Sequence, residues 1–256
     1  MENGLSQISS VHRPDPLPLF ADYNALIPFM FGVSIVGTFV AFPEIDLWIQ
    51  RLAYSPDTAF ASKRSGFWGA IYRSVPWITC GVTFGALTLL AWGEFRCKYV
   101  WGISRKAVAY LFTTLIIGPG VVVNTIFKNN WGRARPSQIT EFGGTAQFSP
   151  AFVRVSECES NCSFVSGHAS MGFYLIAIAF LFKGRHRTYM IWTALVYGSV
   201  TGIGRIIQGG HFFSDIIFSG LFTVSIAALC YHYMLYKDYL NYIPGIRPKW
   251  QHLHMS

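Results

Sequence analysis

Three short blocks of this chain hold the cations, imidazoles and carboxylate of a possible reaction centre. The first runs from Lys128 to Arg135-Pro136, the second is Ser166-Gly167-His168, and the third runs from Arg205 through His211 to Asp215. Lys128, Arg135 and Arg205 are three cations suited to a phosphate, which arginine grips bidentately and lysine meets as a point charge. Ser166-Gly167 precede an apolar run, the pattern of a helix N-terminus, where backbone N–H groups bind anions. His211 and Asp215 are four apart and would share a helical face. The aspartate could then hold one imidazole nitrogen and leave the other to attack phosphorus. His168 supplies a second imidazole, able to protonate a leaving oxygen and then to activate water. The expected chemistry is phosphoryl transfer with catalytic His211, His168 and Asp215 and a phosphate cradle of Lys128, Arg135, Ser166, Gly167 and Arg205. The cations would supply the charge stabilisation that a metal otherwise gives. Of the 12 acidic residues only Asp215 lies close to a motif histidine, so neither a metal nor a cofactor is expected.

Each piece has a plainer reading. Lys128–Arg135 could be a charge anchor at a helix end, a reading that suits Arg133 well. His168 could be a hydrogen-bonded helix-terminal histidine, His211–Asp215 a structural pair, and Arg205 a snorkelling anchor. Their occurrence in order, on one face of the same membrane, favours a shared site, because ionisable groups at membrane-helix ends are functional by default.

The elements that must position these blocks follow from composition. Hydrophobic residues make up 52% of the 256 residues and charged residues only 12%, against about 25% charged in soluble proteins. So little charge cannot cover a water-facing surface. Residues 23–43, 74–93, 107–127, 162–182, 188–204 and 216–236 contain no Asp, Glu, Lys or Arg. Each is close to the roughly 20 residues that a helix needs to cross the hydrocarbon core, with 188–204 the shortest. The expected fold is therefore all-α and polytopic, with six transmembrane helices and an interfacial helix after the first. Residues 44–73 form the loop for that interfacial helix, mixing Trp48, Phe60, Phe67, Trp68 and Tyr72 with basic side chains.

The organisation expected is a cytoplasmic tail at 1–22, a six-span domain at 23–236 and a cytoplasmic tail at 237–256. The first tail holds Pro14, Pro16 and Pro18 and reads as a short polar segment, with the first apolar run as an uncleaved signal-anchor. Six spans put both termini on one side, and the modest bias of basic residues toward that side makes it cytoplasmic. All three chemical blocks then face the opposite compartment. Cys158 and Cys162 lie in the polar loop on that far side and could close a disulfide there. The net charge of +8 suits an anionic lipid surface, and no nucleic-acid partner is expected.

The three blocks resemble the signature of the type 2 phosphatidic acid phosphatase superfamily, which includes membrane lipid phosphatases and soluble vanadium haloperoxidases. That signature reads K-x6-R-P, then P-S-G-H, then S-R-x5-H-x3-D. Lys128 and Arg135-Pro136 match the first part. Ser166-Gly167-His168 match the second, with Val165 in place of proline, and Arg205, His211 and Asp215 match the third, with Gly204 in place of serine. The resemblance implies His211 as nucleophile through a phosphohistidine, His168 as general acid and then base, and Asp215 as the orienter of His211. It implies Lys128, Arg135, Arg205 and the Ser166–Gly167 amides as holders of the phosphate. A narrower likeness, in Phe42-Pro43-Glu44-Ile45-Asp46-Leu47 and in the run from Cys158 to His168, is to bacterial lipid A 1- and 4′-phosphatases.

The expectation is thus a phosphomonoesterase acting on a membrane lipid phosphate, lipid A or a precursor, at the periplasmic face of a bacterial inner membrane. Phosphatidylglycerophosphate and undecaprenyl diphosphate are alternative substrates. A lipid phosphotransferase and a non-catalytic lipid-phosphate transporter are alternative functions; the transporter has no need of two histidines.

Overall fold

The computed structural model of the protein describes residues 26–61, 66–96 and 103–237. The tails expected at 1–22 and, past Lys237, at 238–256 lie outside the described residues. So do Lys63 and Arg64 of the first long loop, and Cys97 and Lys98.

The described chain is all-helical. In order it has α1 (Leu26–Ala41), α2 (Glu44–Ala53), α3 (Gly66–Arg96), α4 (Arg105–Asn130), α5 (Gly167–Leu181), α6 (Gly184–Ile207) and α7 (Phe213–Tyr236). Composition decides where these helices can reside. The 31-residue α3 buries Gly69, Val75, Thr79, Ala86 and Gly93 while exposing Trp77, Phe84 and Trp92. A helix apolar on every side that turns its largest rings outward is solvated by lipid.

Among the described residues four helices, α3, α4, α6 and α7, are long and apolar enough to cross a bilayer. A fifth crossing is counted if α1 and α2 act as one element, although they bend by 80° at the break between them. Six were expected, of which length and composition count four or five among the described residues. The segment at 162–182 is helical only over Gly167–Leu181, about 22 Å at 1.5 Å per residue, short of the roughly 30 Å core. Its first residues are drawn into the polar loop instead. The loop expected at 44–73 is also shorter, because α3 begins at Gly66 and carries Phe67, Trp68 and Tyr72 in its first turns.

Local signals explain the helix ends that matter here. Ser104 starts α4 by accepting from the Ala107 N–H at 3.3 Å, a common N-cap. From Ile116 to Phe127 the helix is wound in π form around Pro119, which has no N–H to give the ladder. Asn124 Nδ2 donates to the Pro119 carbonyl at 2.7 Å, and the widened stretch delivers Lys128 at its end. α5 and α6 cross where a Cβ on Gly172 would lie 2.9 Å from the Gly198 Cα. Only glycine permits that approach, and small residues are how membrane helices pack closely.

The bundle core gathers Tyr110, Leu111, Tyr174, Phe180, Ala227 and Tyr231. A second, aromatic cluster of Phe39, Phe164 and Phe218, with Phe152 and Trp131 against it, lies beneath the long 131–166 loop. Phe164 is fully buried there, and burying one such ring stabilises by roughly 1.5–3 kcal/mol. The loop is tied down by its backbone as well. Cys162 N–H donates to the Lys128 carbonyl at 3.0 Å and Ser163 N–H to the Arg133 carbonyl at 2.8 Å. Few residues of this loop are in regular structure, yet its position over the ends of α4, α5 and α7 is fixed.

Candidate active site

Every residue of the three sequence blocks lies at one end of the helix bundle. Lys128 is in the last turn of α4, Arg135 five residues past its end, and Ser166 caps α5. Arg205 is in the last turn of α6, and His211 and Asp215 flank the start of α7.

His211 sits in the short connection between α6 and α7 and is buried. Its Nδ1 lies 2.7 Å from the Ser163 backbone carbonyl. A carbonyl only accepts, so a neutral ring carries its proton on Nδ1 and leaves the Nε2 lone pair unprotonated. Burial lowers the His211 pKa to about 3, and the charges of Arg205 and Lys128 push the same way, against the Asp215 carboxylate. The ring is therefore neutral at physiological pH.

Asp215 was expected to hold His211; it stands beside the ring, but the nearest acceptor for Nδ1 is the Ser163 carbonyl. The Asp215 Oδ2 stands 3.7 Å from Nδ1, beyond hydrogen-bond range. His211 precedes the first turn of α7, so its side chain does not follow the four-residue helical register. Asp215 instead takes Arg133 Nη1 at 2.6 Å on one oxygen, and the Ser163 hydroxyl at 2.5 Å and Phe212 N–H at 2.8 Å on the other. Ser163 thus links the two: its hydroxyl donates to Asp215 and its carbonyl accepts from His211.

Ser166 also differs from expectation. Its N–H donates to the Asp215 carbonyl at 3.2 Å, and its hydroxyl accepts from Ala169 N–H at 3.4 Å. The N–H thus ties the start of α5 to α7, and the hydroxyl caps α5 itself. Gly167 does meet the cation cluster, because a Cβ there would lie 3.7 Å from Lys128 Nζ and 3.0 Å from Asn124 Oδ1.

Arg205 and Lys128 act on the charge of His211, and Arg135 acts on Lys128. Lys128 Nζ donates to Asn161 Oδ1 at 2.7 Å and Arg135 Nη2 to the Asn161 carbonyl at 2.7 Å. Two oxygens of one residue therefore engage the two cations together. Asn161 lies in the loop closed by the bonded Cys158 and Cys162. Arg205 is buried, donates to Gln208 Oε1 at 2.5 Å and lies with Cζ 5.0 Å from the Tyr72 ring. Its Nε is buried with no hydrogen-bond partner among the described residues. Gly210 lies against the Arg205 guanidinium, where any Cβ would collide. Tyr72 in turn stacks on His168, with centroids 4.1 Å apart and planes at 18°.

Sequence reasoning missed several partners. Arg133, read as an anchor, is the largest fully buried side chain of the protein's described residues. It bridges Asp215 and Asp46 and packs its guanidinium 4.3 Å from the Phe212 ring centroid. Burial opposes its charge, but the two carboxylates outweigh burial and its pKa is raised. Asp46 comes from α2, 87 residues away. The available signal was an acidic residue at an otherwise apolar position just inside a helix start. Ser163 left no such signal, because it acts on His211 through its backbone.

Among the described residues, no group of three or more His, Cys, Asp or Glu side chains is arranged to hold a metal ion. Beside Arg135 an open cleft of about 280 Å3 is lined by Ser137, Gln138, Ser160 and Asn161 as well as Cys158.

Residues 106–239 match the family model described as the PAP2 superfamily, a stretch that contains all three blocks. The chain is 39% identical over 191 residues to a lipid A 4′-phosphatase of Francisella tularensis subsp. novicida (strain U112), covering 72% of this chain and 84% of that one. It is 28% identical over 217 residues to a lipid A 4′-phosphatase of Rhizobium leguminosarum, covering 79% and 93%. A lipid A 4′-phosphatase of Rhizobium etli is 26% identical over 219 residues, covering 79% and 84%. No solved structure matches the chain. With the three blocks gathered at one end of a bundle of apolar helices, the chain belongs to the PAP2 superfamily and is a membrane lipid phosphatase.

Proposed function

We propose that the protein removes a phosphate monoester from lipid A or a precursor, at the 4′ position, on the periplasmic face of a bacterial inner membrane. The observation that carries the mechanism is the 2.7 Å contact of His211 Nδ1 with a carbonyl, which leaves Nε2 as a neutral nucleophile among three cations. Nε2 attacks phosphorus, a P–N bond forms and the P–O bond to the sugar breaks. His168 gives its proton to the departing oxygen, then takes one from the water that hydrolyses the phosphohistidine. Lys128, Arg135 and Arg205 stabilise the charge on the phosphoryl oxygens through both steps. Gly167 keeps the space beside Lys128 open.

The choice of lipid A draws on the printed names of the relatives and on the polar cleft beside Arg135. Hydroxyl, amide and guanidinium groups suit a sugar, which hydrogen-bonds all around its ring, better than an acyl chain. The orientation draws on the bonded pair Cys158–Cys162 in the site loop, since disulfides persist in oxidising compartments. The proposed arrangement has six crossings within 23–236, with the shorter α1 and α5 counted among them, both tails in the cytoplasm, and α2 in the headgroup layer. There α2 exposes Trp48 and Leu52, side chains that lodge at a membrane interface.

The test is phosphate release by the detergent-solubilised protein from lipid A, phosphatidylglycerophosphate and undecaprenyl diphosphate. Lipid A is expected to be turned over fastest, with loss of the 4′ phosphate seen by mass spectrometry of the product. His211→Ala and His168→Ala are expected to abolish release, and EDTA to leave it intact. Full activity of either variant would sink the mechanism. Preference for another lipid would overturn the substrate.

A further inference from the structure

The buried arginine beside the site has no part in the chemistry proposed above, yet its contacts reach the nucleophile. Arg133 Nη1 donates to Asp215 at 2.6 Å and to Ser214 Oγ at 2.9 Å, Nη2 to Asp46 at 2.7 Å, and Nε to the Ser149 carbonyl at 2.9 Å. Asp46 is filled in turn by Ser214, through its N–H at 2.8 Å and its hydroxyl at 2.5 Å. Arg133, Asp46 and Asp215 are each buried, and every one of these groups has its partners. One cation and two carboxylates taken out of water are costly, and such a cluster is weak evidence of a gain in stability. Its demonstrated use elsewhere is to fix one arrangement among alternatives.

The arrangement it fixes here is that of Ser163. The Ser163 N–H is bound to the Arg133 carbonyl, and its hydroxyl to the Asp215 carboxylate that Arg133 also holds. With both ends clamped, the remaining Ser163 carbonyl stands 2.7 Å from His211 Nδ1. Asp46 completes the clamp by occupying Nη2, so that Nη1 is directed to Asp215. Since Asp46 belongs to α2, that helix is joined to the connection bearing His211.

We infer that Asp46 and Arg133 are positioning residues for the phosphoryl transfer, holding Ser163 so that its carbonyl keeps His211 Nε2 unprotonated and aimed at phosphorus. The inference rests on the reading of His211 as nucleophile. It assigns these residues no contact with substrate. Their loss therefore slows the chemical step and leaves phosphate binding by Lys128, Arg135 and Arg205 in place.

Gln50 provides the comparison. It lies on the same buried face of α2, one turn beyond Asp46, and donates from Nε2 to the Ile206 carbonyl at 2.8 Å. Removing it loosens α2 without touching Arg133. The experiment measures kcat, KM, inhibition by orthovanadate and thermal stability for the full chain in detergent, with lipid A as substrate. Asp46→Asn and Arg133→Lys are expected to lower kcat about 10- to 100-fold, the scale of a misplaced reacting group. KM and the vanadate inhibition constant should stay within about threefold of wild type. Gln50→Ala should lose thermal stability while keeping kcat within about threefold.

A wild-type kcat in Asp46→Asn overturns the inference. So does a loss that appears in KM and vanadate affinity, or an equal loss of kcat in Gln50→Ala. If Asp46→Asn yields no folded protein, Ser163→Ala carries the test, since it cuts the bond to Asp215 and keeps the backbone carbonyl. A loss of kcat at constant KM is then expected, and an unchanged kcat refutes the clamp. His211→Ala, assayed alongside, separates the two readings. If it is active, the nucleophile assignment falls and the positioning role with it. If it is dead while Asp46→Asn is fully active, only the positioning role falls.

Discussion

Acid sensitivity offers a direct measure of the environment of His211. The ring is buried, and its pKa falls from 6.5 to about 3 in the folded protein. In the unfolded chain it takes up a proton as pH drops below 6.5, whereas the folded state resists until near pH 3. Between those values the unfolded state binds more protons, so folding stability declines as pH falls. At about pH 5 the single site costs about 2 kcal/mol relative to neutral pH, and by about pH 3 roughly 4 kcal/mol. His211→Asn removes the titration and keeps an N–H close to the place of Nδ1, able to donate to the Ser163 carbonyl. Other acid-sensitive groups are common to both proteins. Thermal unfolding is measured at about pH 7.5 and about pH 5 in one detergent. For a chain of this size about 2 kcal/mol corresponds to roughly 4–8 °C. The wild type should lose that much more on acidification than His211→Asn. An equal loss in the two proteins would refute the argument that His211 is held neutral by burial and by the neighbouring cations.

Gly167→Ala is expected to keep the fold and to lower kcat/KM about 10- to 100-fold, because the added methyl would lie 3.0 Å from Asn124 Oδ1, which must give way, and would fill the space against Lys128 Cε at 3.4 Å. Wild-type steady-state kinetics in this variant would show that the space beside Lys128 is not used by the phosphate. Arg205→Lys should lower kcat/KM about 100- to 1,000-fold while leaving the protein folded by circular dichroism. A lysine keeps the charge but loses the planar fork and the stacking on Tyr72, so a loss below about threefold would remove Arg205 from the phosphate cradle.

Composition settles the solvent of this protein, and spacing along the chain picks out the candidate residues that the fold brings to one end of the bundle. A chain with 12% charged residues cannot present a polar surface all round, so the apolar helices follow from composition. Lys128, Arg135, His168, Arg205 and His211 are legible because side-chain type and spacing state what each can do, whichever way the chain folds. The helix ends were less legible. An apolar run at 162–182 reads the same whether it is helix throughout or, like Phe164 and Val165 near its start, is loop packed with Phe152 and Phe218.

Only the tertiary structure decided how His211 is held. Its partner is a backbone carbonyl, and every residue has one, so no residue type marks Ser163 for that task. Asp215 looked like the partner because four residues is one helical turn, but the helix begins after His211. Arg133 read as an anchor because a basic residue at a membrane edge is ordinarily solvated. It became a buried bridge only when α2 brought Asp46 to it. Interactions between side chains fixed by local spacing could be read along the chain; those requiring distant segments to meet depend on packing, which no single stretch of sequence encodes.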